Sequence, residues 1–249
     1  MDPKRFFMPP EMIHQPQPEI TGPQAGHICR VLRLGSGDAV ELFDGTGNGY
    51  LARIVSASPR CVRLSIENTF PLLAESPTRI TVAQAILKDR KMDEVVRQLT
   101  ELGIDRWMPF YAARSVPVPG DQPWAGRLDR WEKIALEAVK QCRRGRIPRV
   151  APADNFEAVL AASATVDLKI IFWEETPHAF TIPGPLAKMP ETVMVVIGPE
   201  GGFTAEEIGQ ARGNGFSTAG LGPRLLRAPT AALAACTLVQ YAFGDMGGR

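Results

Sequence analysis

The sequence predicts a small β domain over residues 1–73 followed by an α/β domain with a parallel sheet over residues 74–249. Three observations carry this. Segments within the first ~70 residues alternate apolar and polar positions, the period of a half-buried strand. Beyond them, short runs that are apolar throughout alternate with segments of helical period, the pattern of a parallel sheet covered on both faces. The 249 residues are enough for such a pair, and 45% hydrophobic with 22% charged content lies close to globular averages.

In the first domain, AVELFDGTGNGY (39–50), LARIVS (51–56) and CVRLSIE (61–67) read as strands, with DGTGNG (44–49) as a hairpin turn. They form a small barrel or sandwich. The turn contains G-x-G-x-G, but it joins strand to strand and opens no helix, so a dinucleotide site is excluded on context. After the linker PLLAESP (71–77), RITVAQAIL (79–87) is a strand. A helix follows with Met92, Val95, Val96, Leu99 and Leu102 on one stripe, closed by Gly103. WMPFY (107–111) is another strand, and a helix from about Leu128 to Gln141 comes next. DLKIIFW (167–173) and TVMVVIG (192–198) complete the set of buried strands.

Composition narrows the function classes. No apolar run reaches the ~20 residues of a membrane-spanning helix. The N-terminal MDPKRFFMPP lacks the apolar core and cleavage site of a signal peptide, so a cytoplasmic location without a membrane partner is expected. Cys29, Cys61, Cys142 and Cys236 form no C-x-x-C pair, and His14, His27 and His178 are equally scattered, which predicts reduced thiols and no metal site. A net charge of +1 gives no global basic field. Locally, KQCRRGRIPR (140–149) holds five cations and no anion. Gly145 and Pro148 place these charges on irregular backbone, open either to solvent or to a phosphate backbone.

The loop IGPEGGFTAEE (197–207) lies at the end of a buried strand, where α/β sheets bind ligands. Thr204 and Glu207 form a capping box, with Phe203 and Ile208 at the staple positions. A helix cap explains neither Gly198, Pro199 and Glu200 nor the pair Gly201 and Gly202, which point to positive φ or a close approach. The loop has no G-K-[ST] ending, and Glu200 would repel a polyphosphate, so a neutral or cationic ligand fits better. S-adenosylmethionine is one such ligand. Further on, AGLGPRLLRAPTAALAA (219–235) ends a short strand and opens a helix from about Pro229. That helix is apolar on nearly every side, which suits either a monomer core or a homodimer interface.

Together the IGPEGGFTxxE loop, the LGPRLLRxxTAALAA segment and TELG (100–103) with Arg114-Ser115 resemble the RsmE family of ribosomal RNA methyltransferases, in the SPOUT superfamily. Arg5-Phe6-Phe7, HxxRVLR (27–33) with Gly37-Asp38, and Gln141, Arg144, Arg146 and Pro148 extend the likeness over nearly the whole chain. The resemblance implies a PUA-like β-barrel that binds RNA, then an α/β domain tied in a trefoil knot, in a homodimer. It implies S-adenosylmethionine as cofactor and N3 of a uridine in small-subunit (16S) rRNA as target, presented in the assembled subunit. Its cofactor loops correspond to Phe172 to Glu174, Ile197 to Gly202 (Ile197, Gly198, Pro199, Glu200, Gly201, Gly202), and Leu221 to Arg227, including Gly222 and Leu226. Two departures stand out: Ala228-Pro229 where the family often has Thr-Glu, and Lys140 where it commonly has Glu.

Methyl transfer from a sulfonium disperses charge, so positioning supplies much of the acceleration. Deprotonation of the uridine imide calls for a base or a stabilising cation. Arg227 is the candidate for the cation, with a phosphate contact as its other reading; no residue identifies itself as the base. Glu200, in a turn, is read as an acceptor of backbone hydrogen bonds. Phosphate contacts are expected from Arg5, Arg30, Arg33, Arg114, Arg144 and Arg146. The competing readings are a ribose 2′-O-methyltransferase acting on tRNA and a non-catalytic RNA-binding module.

Overall fold

A computed structural model describes residues 3–72, 75–88, 90–116, 124–176, 180–181 and 189–247. The domain boundary expected at 73/74 and His178 lie outside these residues. The chain divides into two compact units, Met1–Glu75 with Val139–Ile147, and Ser76–Ala138 with Pro148–Arg249.

The first unit contains β1 (Lys4–Phe7), α1 (Pro10–Ile13), β2 (Glu19–Thr21), α2 (Gly22–Gly26), a π-helical turn at His27–Val31, β3 (Ala39–Phe43), β4 (Asn48–Ala57) and β5 (Cys61–Pro71). Its five-stranded sheet has the order β1-β3-β4-β5-β2. β3 and β4 form the expected hairpin, with Leu42 opposite Tyr50. Alternation sends Val40, Leu42, Ala52, Ile54, Val62 and Leu64 into one core. The hairpin turn is closed by Asp44, which is buried and accepts from Thr46 N (2.8 Å), Asn48 N (3.2 Å), Asn48 Nδ2 (2.8 Å) and the Tyr50 hydroxyl (3.1 Å).

The second unit runs β6 (Arg79–Ala85), α3 (Lys91–Glu101), β7 (Arg106–Phe110), α4 (Trp124–Cys142), β8 (Arg149–Val150), α5 (Phe156–Ala162), β9 (Leu168–Phe172), β10 (Thr192–Ile197), α6 (Ala205–Gly213), β11 (Ser217–Ala219) and α7 (Ala228–Phe243). Its six strands are all parallel, in the order β11-β9-β10-β6-β7-β8. Successive residues of β10 supply opposite cores: Val193, Val195 and Ile197 pack with α3 and α7, Met194 and Val196 with α5 and α6. This is why that strand is apolar at every position from Val193 to Ile197. Removing each such side chain from water contributes about 1.5–3 kcal/mol.

The structure adds two details to the reading of the basic run. Lys140, Gln141 and Cys142 belong to the last turn of α4 and Arg149 to β8, leaving 143–148 as the irregular part. Val139–Ile147, assigned by sequence to the second domain, clusters instead with the first unit. There Arg146 bridges Thr46, and Ile147 N donates to Gly45 O at 3.1 Å. In α7 one face is buried through Ala232, Ala235, Cys236, Val239 and Phe243, while Leu238 and Tyr241 stay 36% and 57% exposed. Within one chain the helix is thus covered on one face.

Candidate functional site

The order of the parallel sheet decides where a ligand can sit. β6, β7 and β8 progress toward one edge, β9 is laid down on the opposite side, and β10 then fills the place between β9 and β6. A reversal of this kind leaves a crevice at the carboxyl ends of the strands. The loops after β9, β10 and β11 all open there, onto a cavity of about 840 Å³. Phe172, Trp173 and Glu174 come from the first loop, Ile197 to Glu200 and Gly202 from the second, and Gly220 to Arg227 from the third. Of the twelve cofactor residues expected from sequence, only Gly201 is missing from this lining.

The glycine loop is fixed from four sides. Gln84, fully buried at the end of β6, donates from Nε2 to Gly198 O at 3.3 Å. Arg114 donates to Gly201 O (3.0 Å) and Phe203 O (3.4 Å), so Gly201 turns its carbonyl toward that guanidinium. The capping box forms as expected, with Thr204 N to Glu207 Oε2 at 2.8 Å and Glu207 N to Thr204 Oγ1 at 3.1 Å; the second carboxylate oxygen of Glu207 accepts from Ala113 N at 2.9 Å. Phe203 and Ile208, the staple pair, are both buried. Finally, Glu200 accepts from Lys88 N (3.3 Å) and pairs with Lys91 Nζ (2.8 Å). Partial burial works against the Glu200 charge, but Lys91 and the backbone N–H groups of Glu200 and Lys88 outweigh it and hold the carboxyl below its ordinary value. Glu200 thus accepts a backbone hydrogen bond as expected and an ion pair that sequence did not foresee.

Gly202 has φ +67°, and a Cβ there would collide with the Glu174 carboxylate. The positive φ is the requirement read from the sequence that holds this position as glycine, since the Glu174 carboxylate is the end of an exposed side chain that can move aside. Arg227 is the extended N-cap residue of α7, with Pro229 in the first turn, so Ala228-Pro229 is compatible with the helix start. Its side chain is exposed at the cavity.

Sequence reasoning missed the polar face of α3, where Lys91, Glu94 and Gln98 also line the cavity. Their spacing of three and four residues puts them on one helical face beside the apolar stripe, a signal that was present. Of the six expected phosphate contacts, Arg114 is exposed but bonded to the glycine loop, and the other five separate into two groups. Arg30, Arg33 and Arg146 are exposed in the first unit. Arg5 and Arg144 are not: their side chains are 11% and 6% exposed and paired with Glu41 (3.0 Å) and Glu75 (2.8 Å). Burial pulls the Arg5 guanidinium below its ordinary value against the Glu41 charge. Among the described residues no group of three or more His, Cys, Asp or Glu is placed to hold a metal ion, and no helix is long and apolar enough to cross a membrane.

Residues 74–240 match the family model of an RNA methyltransferase domain, and residues 20–67 match that of an RNA methyltransferase PUA domain. The chain belongs to the RNA methyltransferase family. Within it, the chain is 31% identical over 227 residues to ribosomal RNA small subunit methyltransferase E of Bacillus subtilis, covering 89% of each chain. The solved ribosomal RNA small subunit methyltransferase E from Neisseria gonorrhoeae, bound to S-adenosyl methionine, superposes with a TM-score of 0.84 at 28% identity, covering 98% of this chain and 99% of that one. A Legionella pneumophila protein solved with bound cofactor SAM gives 0.82 at 31% identity, covering 98% and 100%. The family's PUA and methyltransferase regions thus correspond to the mixed β sheet and the parallel sheet described above.

Proposed function

We propose that this protein transfers the methyl group of S-adenosylmethionine to N3 of a uridine in 16S rRNA of the small ribosomal subunit. The observation that carries the reading is the convergence of the loops after β9, β10 and β11 on one cavity, with Gly198, Gly202 and Gly222 bringing backbone to its wall. The residues present fit the cofactor. Phe172, Leu221, Leu226 and Leu233 offer apolar surface for an adenine, and Glu94 and Glu174 offer carboxylates for the cationic portion. When bound, S-adenosylmethionine supplies an electrophilic methyl on a positive sulfur.

The chain's own residues then position and stabilise. Gln84 and Arg114 hold the glycine loop through its carbonyls, and the Lys91–Glu200 pair ties the same loop to α3. Arg227, exposed at the cavity, steadies the negative charge that develops as the uridine imide loses its proton. Arg30, Arg33 and Arg146 contact RNA phosphates. Leu225 (83% exposed), Leu238 and Tyr241 support a homodimer, since exposed apolar side chains on and beside α7 need a cover. The family fold implies a trefoil knot in the second unit, and the assembled subunit in the cytoplasm is the working substrate.

Nucleoside analysis of 16S rRNA from cells lacking the protein tests the reaction: loss of 3-methyluridine is expected, and its retention refutes the assignment. Calorimetric titration with S-adenosylmethionine tests the cofactor site, and light scattering tests the dimer.

A further inference from the structure

We propose that Glu75 is a positioning residue for RNA binding: its carboxylate fixes the loop at residues 144–146 so that Arg146, flanked by Arg143, is presented to an rRNA phosphate. The proposal rests on the rRNA reading above.

Three donors converge on this one side chain. Arg144 Nη2 reaches Oε2 at 2.8 Å, while the consecutive N–H groups of Gly145 and Arg146 reach Oε1 at 2.9 and 2.8 Å. Successive N–H groups turned to one side form a concavity that binds an anion, and here the protein supplies the anion itself. The Arg144 guanidinium is turned inward and its carbonyl accepts from Arg5 Nη2 at 2.8 Å. Arg5 is in turn held by Glu41 and lies over the Phe43 ring at 4.4 Å. On the other side the bridge from Arg146 to Thr46 and the Ile147–Gly45 hydrogen bond pin the loop to the β3–β4 turn. Gly145 is packed so closely that a Cβ would stand 2.8 Å from Leu72 Cβ and 3.1 Å from Gly47 Cα. Arg143, with φ +63°, and Arg146 are the arginines of this loop left exposed.

An acid at the centre of a basic run is unexpected if the run serves only as a pool of positive charge. It is expected if the loop must hold one shape. The two views predict opposite signs. Removing the Glu75 charge raises the local positive potential, so electrostatics alone predicts tighter RNA binding. Positioning predicts weaker binding, because a glutamine amide sets its own N–H donors against the Arg144 guanidinium.

The test is fluorescence anisotropy of labelled protein titrated with assembled small ribosomal subunits at several salt concentrations, using the full chain, Glu75→Gln, Arg146→Gln and the double variant. We expect Glu75→Gln to weaken binding about tenfold and to add little once Arg146 is replaced. The slope of log affinity against log salt should become shallower by about one. Affinity for S-adenosylmethionine should be unchanged. Binding by Glu75→Gln that matches or exceeds wild type with the same slope overturns the proposal alone. A wild-type protein that binds no small subunit overturns it together with the RNA reading. If thermal melts show Glu75→Gln unfolded, Glu75→Asp, one methylene short of all three donors, carries the same comparison.

Discussion

The turn at 44–49 and the loop at 197–202 both set an acid among glycines, but Asp44 ends its hydrogen bonds inside its own hairpin, whereas Glu200 reaches out to Lys88 and Lys91. Asp44 is 4% exposed and takes four hydrogen bonds from residues no more than six positions away. Glu200 stands at the lip of the cavity and bonds residues more than a hundred positions earlier in the chain. With its acid satisfied locally, the 44–49 turn keeps its shape and offers Gly45 O to Ile147 N. With its acid satisfied by another element, the 197–202 loop is tied to α3 at the cavity.

Asp44→Ala should have the largest effect, since it removes four hydrogen bonds at once, one of them from the buried Tyr50 hydroxyl. We expect about 3 kcal/mol of destabilisation in chemical denaturation, with S-adenosylmethionine affinity intact in the protein that remains folded. Gly202→Ala should do the converse. A methyl group at φ +67° should weaken cofactor binding at least tenfold in calorimetry through about 1–3 kcal/mol of backbone strain, while the first unit melts as before. Glu200→Gln should cost no more than about 1 kcal/mol of stability, because its pair with Lys91 is partly solvated, and should raise the KM for S-adenosylmethionine severalfold.

Acid titration gives the finest distinction. Burial opposes the Asp44 charge, but the Asn48 amide and the Thr46 N–H and hydroxyl outweigh it, so its carboxyl lies below the ordinary value, as that of Glu200 does. Each contributes stability that is complete above the unfolded carboxylate pKa and fades as pH falls through the lowered folded one. Asp44→Asn should flatten the acid limb of stability against pH in the first unit, and Glu200→Gln should leave that limb unchanged. Equal responses would erase the contrast between the two loops.

Much of this was legible in the sequence because its causes are local. The β3–β4 hairpin, the stripe of α3 and the Thr204–Glu207 box each depend on residues within a turn or two of one another. So does the helix stop at Gly103, whose φ of +85° favours glycine. The packing of Gln240 beside that glycine was not legible, since its Nε2 donates to Leu102 O from 138 positions away. Arg5 and Arg144 were misread for the same reason. Each has the look of a surface cation in its own segment, yet the Arg5–Arg144 bond spans 139 positions and the Arg144–Glu75 bond 69. β8, of two residues, is too short to show a period at all.

The late insertion of β10 also bears on how the molecule is made. β6 pairs on one side with β7 soon after both are synthesised, but its other edge waits for Thr192–Ile197, with Thr192 opposite Arg79. Loop closure over such a separation is slow, and the unpaired edge persists meanwhile. A nascent chain therefore holds part of the sheet with an open slot beside β6 while residues 111–191 are synthesised. The cavity wall, drawn from residues on both sides of that slot, forms only when nearly the whole polypeptide has been synthesised.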